Sequence, residues 1–154
     1  MAEPSLDKLF WTHLFDLYAS EKEVVLSLER LSRAAAGSEL QDMLAGYRKE
    51  AEGQVERLER IFERRDPESA AGSAESDAGA IWWKRYMDPD MFDAGLIIGV
   101  RFLAEYKIAA YRAAQRWATL LGYDDLIETL QVSLDEEERA CQELIELGEA
   151  AARI

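Results

Sequence analysis

The sequence predicts an all-α protein: a four-helix bundle with one long crossover between its second and third helices. Three observations lead there. Apolar residues recur at helical spacing along almost the whole chain. Only 3 prolines and 9 glycines punctuate 154 residues, too few for a loop-rich all-β fold. Two tight breaks, at Gly37 and Gly122, flank one long stretch without apolar periodicity, from Asp66 to Gly79.

The helices follow in order. Ser5 is placed to cap a first helix from Leu6 to about Ala36, with an apolar stripe of Phe10, Leu14, Leu17, Val24, Leu28 and Leu31. Gly37 supplies a stop, and Ser38 with Gln41 has the spacing of a capping box, so the break reads as a tight antiparallel turn. The second helix runs to about Arg65 through Leu40, Leu44, Tyr47, Ala51, Leu58 and Ile61, and Arg64 and Arg65 suit its negative end. Residues 66–79 are small and polar and read as a flexible linker. A short helical turn is expected over Ile81 to Tyr86. Asp88-Pro89 then opens the third helix, which stops at Gly122. Asp124 or Asp125 opens the fourth, which continues to about Ala151.

Helices of this length are on the order of 40 Å long. The middle connection, if extended, reaches on the order of 65 Å and can cross the whole bundle. Two tight turns around one long crossover define the ferritin-like arrangement, not the simple up-down-up-down one.

Composition narrows the function classes. The chain is 49% hydrophobic and 32% charged, which suits a single water-exposed domain over residues 1–154 and is too apolar for disorder. Asp plus Glu number 31 against 18 Lys plus Arg, a net charge of −13. Such a chain repels phosphate backbones and anionic lipid, so neither nucleic acid nor membrane is an expected partner. The apolar run near Ala94 to Val100 is too short to span a bilayer. No secretory signal is visible in Met-Ala-Glu-Pro-Ser, and the lone Cys141 excludes an internal disulfide framework, so a cytoplasmic location is expected. No Ser-His-Asp set, phosphate loop or dinucleotide fingerprint is present.

The informative residues are the polar ones that interrupt the apolar stripes. Glu21 falls in line with Leu14, Leu17, Val24 and Leu28. Glu50 and Gln54 follow Met43 and Tyr47 and precede Leu58. Lys107 sits in the stripe of Leu96, Val100, Leu103, Ala110, Ala114 and Trp117. Glu137 continues Leu126, Leu130 and Ser133 and precedes Cys141 and Leu144, with Glu136 beside it. All four interruptions fall near mid-helix, which predicts a buried polar layer of Glu21, Glu50, Gln54, Lys107 and Glu137. Isolated carboxylates in a low-dielectric core are costly and need cations or protons. Carboxylates on facing helices are also how di-iron and di-manganese bundles hold their metals. His13, the one histidine, lies more than two turns from Glu21, too far to serve this layer.

At these residues the chain resembles the YciE/YciF family of ferritin-like, stress-associated bacterial proteins. The matching stretches are Asp16 to Lys22, Gly53 to Leu58, Ile108 to Tyr111 and Leu134 to Glu137. The resemblance implies a ferritin-like bundle, commonly a dimer. The departures fall on the ligands that it implies. Tyr47 stands where the family's second helix carries a histidine. Ala104-Glu105-Tyr106-Lys107 replaces a pair of acids on the third helix, and Val132 replaces a glutamate on the fourth. Only Glu21, Glu50, Gln54, Glu136 and Glu137 remain as possible ligands. The expected reading is a degenerate di-metal centre without a cofactor, in which Lys107 neutralises the buried acids.

The alternative is a working iron or manganese site on Glu21, Glu50, Glu136 and Glu137, joined by Glu105 if the third helix rotates by one position, with ferroxidase or peroxide-reducing activity. A further alternative is a dimeric interaction module without ligand. Trp82 and Trp83 are the expected homodimer contact, since one of two neighbours should point outward.

Overall fold

In the computed structural model, which describes residues 5–65 and 92–152, the described residues form four α-helices and no strand. They are α1 (Leu6–Ala34), α2 (Ser38–Arg65), α3 (Asp93–Leu121) and α4 (Asp124–Ala152). The expected linker over 66–79, the turn over Ile81 to Tyr86, the Asp88-Pro89 opener and the Trp82-Trp83 contact lie outside the described residues.

Each helix packs beside two others. α1 lies along α2 and α3, and α4 lies along α3 and α2. Cross-helix contacts fix the directions. His13 meets Ala110 while Ala36 and Gly37 meet Asp93, so α1 and α3 are antiparallel. Tyr47 meets Glu137 while Arg65 meets Tyr123, so α2 and α4 are antiparallel. α2 and α3 therefore run the same way, and the chain between Arg65 and Phe92 joins opposite ends of the bundle. This is the ferritin-like crossover.

Local chemistry sets the helix ends. The Ser5 hydroxyl accepts from the Lys8 amide at 3.0 Å, a side-chain N-cap. Gly122 has φ 76°, a left-handed conformation that glycine adopts without strain, and the Tyr123 amide beyond it closes on Ala118 O at 2.9 Å.

The turn between α1 and α2 departs from its expected chemistry. α1 ends at Ala34, two residues before the expected Ala36. Ser38 is the first helical residue, and Gln41 does not complete a capping box: its amide nitrogen donates to Ala35 O at 2.6 Å. The free amides are satisfied from another helix. Asp93 Oδ1 accepts from the Ala36 amide at 2.9 Å and Oδ2 from the Gly37 amide at 2.8 Å. Gly37 needs no left-handed backbone; a Cβ there would lie 3.2 Å from Asp93 Oδ2, so its role is close approach. Asp93 is also where α3 begins, with Phe92 as a cap residue that makes no side-chain bond.

Asp93→Ala should therefore cost about 1 kcal/mol, the usual effect of losing a carboxylate cap. Thermal unfolding of the variant checks this, and a melting temperature equal to the parent's would dismiss the cap.

The opposite end carries a second polar cluster. Arg65 Nη2 donates to Asp7 Oδ2 at 2.8 Å, Trp11 Nε1 donates to Asp7 Oδ1 at 3.2 Å, and Tyr123 hydrogen-bonds both Asp7 and Arg65. The guanidinium also lies 4.6 Å from the Trp11 ring centroid. It ties the start of α1, the end of α2 and the α3–α4 turn together.

The apolar core is in two halves. One gathers Val24, Leu28, Leu44, Val100, Leu103 and Leu144, among others. The other gathers Phe10, Leu14, Leu58, Ile61, Ala114 and Leu130.

Candidate functional site

Between the two apolar halves lies a charged layer. Glu21, Gln54, Lys107 and Glu137 are each 0% exposed, although charged side chains are seldom fully buried without partners. Helical spacing places them. Glu21 falls between Leu17 and Val24, Gln54 between Ala51 and Leu58, Lys107 between Leu103 and Ala110, and Glu137 between Leu134 and Ala140, all buried neighbours.

Lys107 is the centre of the layer. Its Nζ lies 2.6 Å from Glu21 Oε1 and forms an ion pair with Glu137 Oε1. It also stands 5.0 Å from the centroid of the Tyr47 ring. Each carboxylate uses its second oxygen on a phenol. Tyr111 donates to Glu21 Oε2 at 2.8 Å, and Tyr47 donates to Glu137 Oε2. One ammonium, two carboxylates and two phenols thus come from all four helices.

A second cluster flanks the first between α2 and α4. Gln54 Nε2 donates to Glu136 Oε1 at 3.3 Å. Arg57 clamps the same carboxylate with both terminal nitrogens, at 2.5 and 3.2 Å, and reaches Ser133 Oγ at 3.2 Å. Glu50 is only half-buried, yet its Oε2 and the Gln54 Oε1 are buried without a hydrogen-bond partner.

The charge states follow from burial and neighbours. Burial pushes the Glu21 carboxyl up to about 7; the Lys107 ammonium opposes this and the Glu137 carboxylate adds to it. Burial alone would lower the Lys107 amine, but Glu137 and Glu21 outweigh it and the net shift is upward. Tyr47 and Tyr111 are raised well above the ordinary phenol by burial and by the same carboxylates. Both remain neutral hydrogen-bond donors. Glu50 is raised by burial and by repulsion from Glu136. Two acids against one ammonium leave an excess negative charge, and a proton on Glu21 relieves it.

That proton gives stability a pH dependence of definite sign. The folded state binds it more tightly than an unfolded chain with an ordinary carboxyl near 4.5. Its contribution is complete below that value and is lost as pH rises through about 7. Urea midpoints should fall between pH 5.5 and pH 8, and Glu21→Gln should flatten that slope. A midpoint rising over the window would contradict the assignment.

The remaining expected site residues sit elsewhere. Glu105 is exposed and paired with Arg101 at 3.3 Å, because two residues of helix turn it to nearly the opposite side from Lys107. A rotated third helix presenting it to the centre is therefore corrected. His13 Nε2 hydrogen-bonds the Ala110 carbonyl at 2.8 Å and its ring packs against Trp117. Cys141 is buried and burial raises its thiol, which keeps it unreactive.

The donor set does not fit a di-metal centre. An ammonium contacts both Glu21 and Glu137, and Arg57 occupies Glu136. The one histidine, His13, bonds the Ala110 carbonyl instead of joining the layer, and Tyr47 and Tyr111 donate to the layer's carboxylates. Among the described residues no group of three or more His, Cys, Asp or Glu is placed to hold an ion.

Sequence reasoning missed the phenol partners and the Arg57 clamp. Tyr47 and Tyr111 lie on apolar stripes, where aromatic residues read as packing. The spacing of Gln54 and Arg57 gives no sign that they converge on Glu136.

A four-helix bundle with the ferritin-like crossover and a charged layer at mid-height defines the class. Within it, residues 5–153 match the family described as Domain of unknown function (DUF892), and the chain belongs to that family. It is similar to Protein YciF of Escherichia coli strain K12, 26% identical over 152 residues, with 94% of this chain and 90% of that protein covered. The crystal structure of the E. coli stress protein YciF superposes with a TM-score of 0.81 at 23% identity, covering 98% of this chain and 99% of that one. YcfI from Rhodopseudomonas palustris superposes with a TM-score of 0.74 at 25% identity, covering 92% and 93%. No helix among the described residues is long and apolar enough to cross a membrane.

Proposed function

We propose that the protein is a stress-associated, non-catalytic member of its family in which a buried ion network stands in place of a di-metal centre. The observation that carries this is the Lys107 ammonium, fully buried and in contact with both Glu21 and Glu137. A cation fixed to the chain neutralises those acids without being acquired from solution. The stress association rests on the likeness to YciF.

The protein acts as a cytoplasmic homodimer that engages neither nucleic acid nor membrane. The acidic balance of 31 to 18 supports the last two points. A groove between α1 and α2 supports the dimer: it has an apolar floor of Val25, Leu26 and Val55, with Lys22 on one side and Glu52, Glu56 and Glu59 on the other. Leu26 is 59% exposed there, an apolar contact open to a second copy.

Metal analysis by mass spectrometry tests the central claim. Protein purified from cells supplied with iron and manganese should carry far less than one metal per chain and show no ferroxidase activity. Stoichiometric iron with an oxo-to-iron absorption band would overturn it in favour of a di-iron protein using Glu21, Glu50, Glu136 and Glu137.

A further inference from the structure

The central layer also holds an amine and a carboxyl in contact with each other, both fully buried. We propose that Lys107 and Glu21 are a self-modification site, condensing to an isopeptide bond that staples α1 covalently to α3. This rests on the reading of the layer as a Lys–Glu network rather than a metal centre.

Four observations carry the inference. Lys107 Nζ lies 2.6 Å from Glu21 Oε1, and both side chains are 0% exposed, so the reactants are held together with little freedom left to lose. Tyr111 donates to Glu21 Oε2 at 2.8 Å, a preset donor for an oxyanion on that atom. Glu137 Oε1 contacts Nζ, and Tyr47 holds its other oxygen, so a base is positioned on the amine. The surrounding residues, Leu17, Val24, Leu103 and Leu134, are apolar and buried, so forming the amide removes charges that the core solvates poorly.

The chemistry needs no further reactant. Glu137 takes one proton from the Lys107 ammonium. The freed lone pair on Nζ attacks Cδ of protonated Glu21, forming the Nζ–Cδ bond and placing negative charge on Oε2 beside the Tyr111 hydroxyl. Glu137 returns its proton to Oε1, the Cδ–Oε1 bond breaks, and Oε1 leaves as water. Glu137 then removes the remaining extra proton from nitrogen, leaving a neutral amide. The carboxylates hold the amine charged at rest, so the first transfer limits the rate and the bond forms slowly; freshly folded protein still carries the ion network, and the pH and unfolding measurements are made on it before the mass falls.

Intact mass of the full chain, incubated folded and then denatured, tests this without any variant. The mass should fall below that of the sequence by one water, and Lys107→Met should abolish the loss. Trypsin should release peptide Leu9–Lys22 joined to Phe102–Arg112, uncut at Lys107. A full sequence mass after prolonged incubation overturns the bond, as does a link to the peptide carrying Glu137. Urea unfolding of Lys107→Met separates the two readings. A full mass with a destabilised variant removes only the bond, whereas a full mass with an unchanged variant removes the ion network as well.

Discussion

Lys107→Met should destabilise the fold by about 3–5 kcal/mol, the range for removing one partner of a buried ion pair. Methionine fills most of the space, so the loss is electrostatic rather than a cavity. Without the ammonium, Glu21 and Glu137 face each other in a region with no access to water. One or both must take up a proton, and the phenols alone cannot neutralise two charges. The melting temperature should drop on the order of 10 °C near neutral pH, and part of the loss should return in mild acid, where both carboxyls protonate. Differential scanning calorimetry at two pH values measures both effects. A variant that melts with the parent would mean that the amine reaches water and the network does not exist.

The opposite result is expected when the whole network is removed. Glu21→Leu, Tyr47→Phe, Lys107→Met, Tyr111→Phe and Glu137→Leu together replace the charged centre by apolar groups of similar volume. Assembling a buried ion pair carries a desolvation cost that its attraction often fails to repay, so an apolar replacement is commonly neutral or up to about 4 kcal/mol stabilising. The fivefold variant should unfold at a denaturant concentration equal to or above the parent's. If it is as weak as Lys107→Met, the network contributes net stability and the desolvation argument fails here. The contrast between one substitution and five makes the pair of experiments sharper than either alone.

Much of this was legible in the residues themselves, and particular positions show where legibility ended. Glu21, Lys107 and Glu137 stand in otherwise apolar helical stripes, and helical periodicity alone fixes which face a residue occupies. Glu50 follows the same logic but ends half-buried, because Tyr47, Ala51, Gln54 and Leu58 take the inward face of α2 and leave it at the edge of the stripe. The partnership of Tyr47 with Glu137 joins residues far apart in sequence, and no local pattern encodes it. The α1–α2 turn is the clearest case. Ser38 and Gln41 have capping-box spacing, yet the carboxylate that caps the free amides comes from Asp93 on another helix. Tertiary contact supplied a stronger acceptor than the local one.

The division of the core into two apolar halves by a charged layer bears on how the chain finds one alignment. Leucine-rich stripes are nearly interchangeable from turn to turn, so greasy helices can slide past one another at little cost. A single slip of α3 would carry Lys107 in among leucines and strand both acids. The layer therefore acts as a notch on four sliding rods, penalising every misaligned assembly even if it adds nothing to the strength of the correct one.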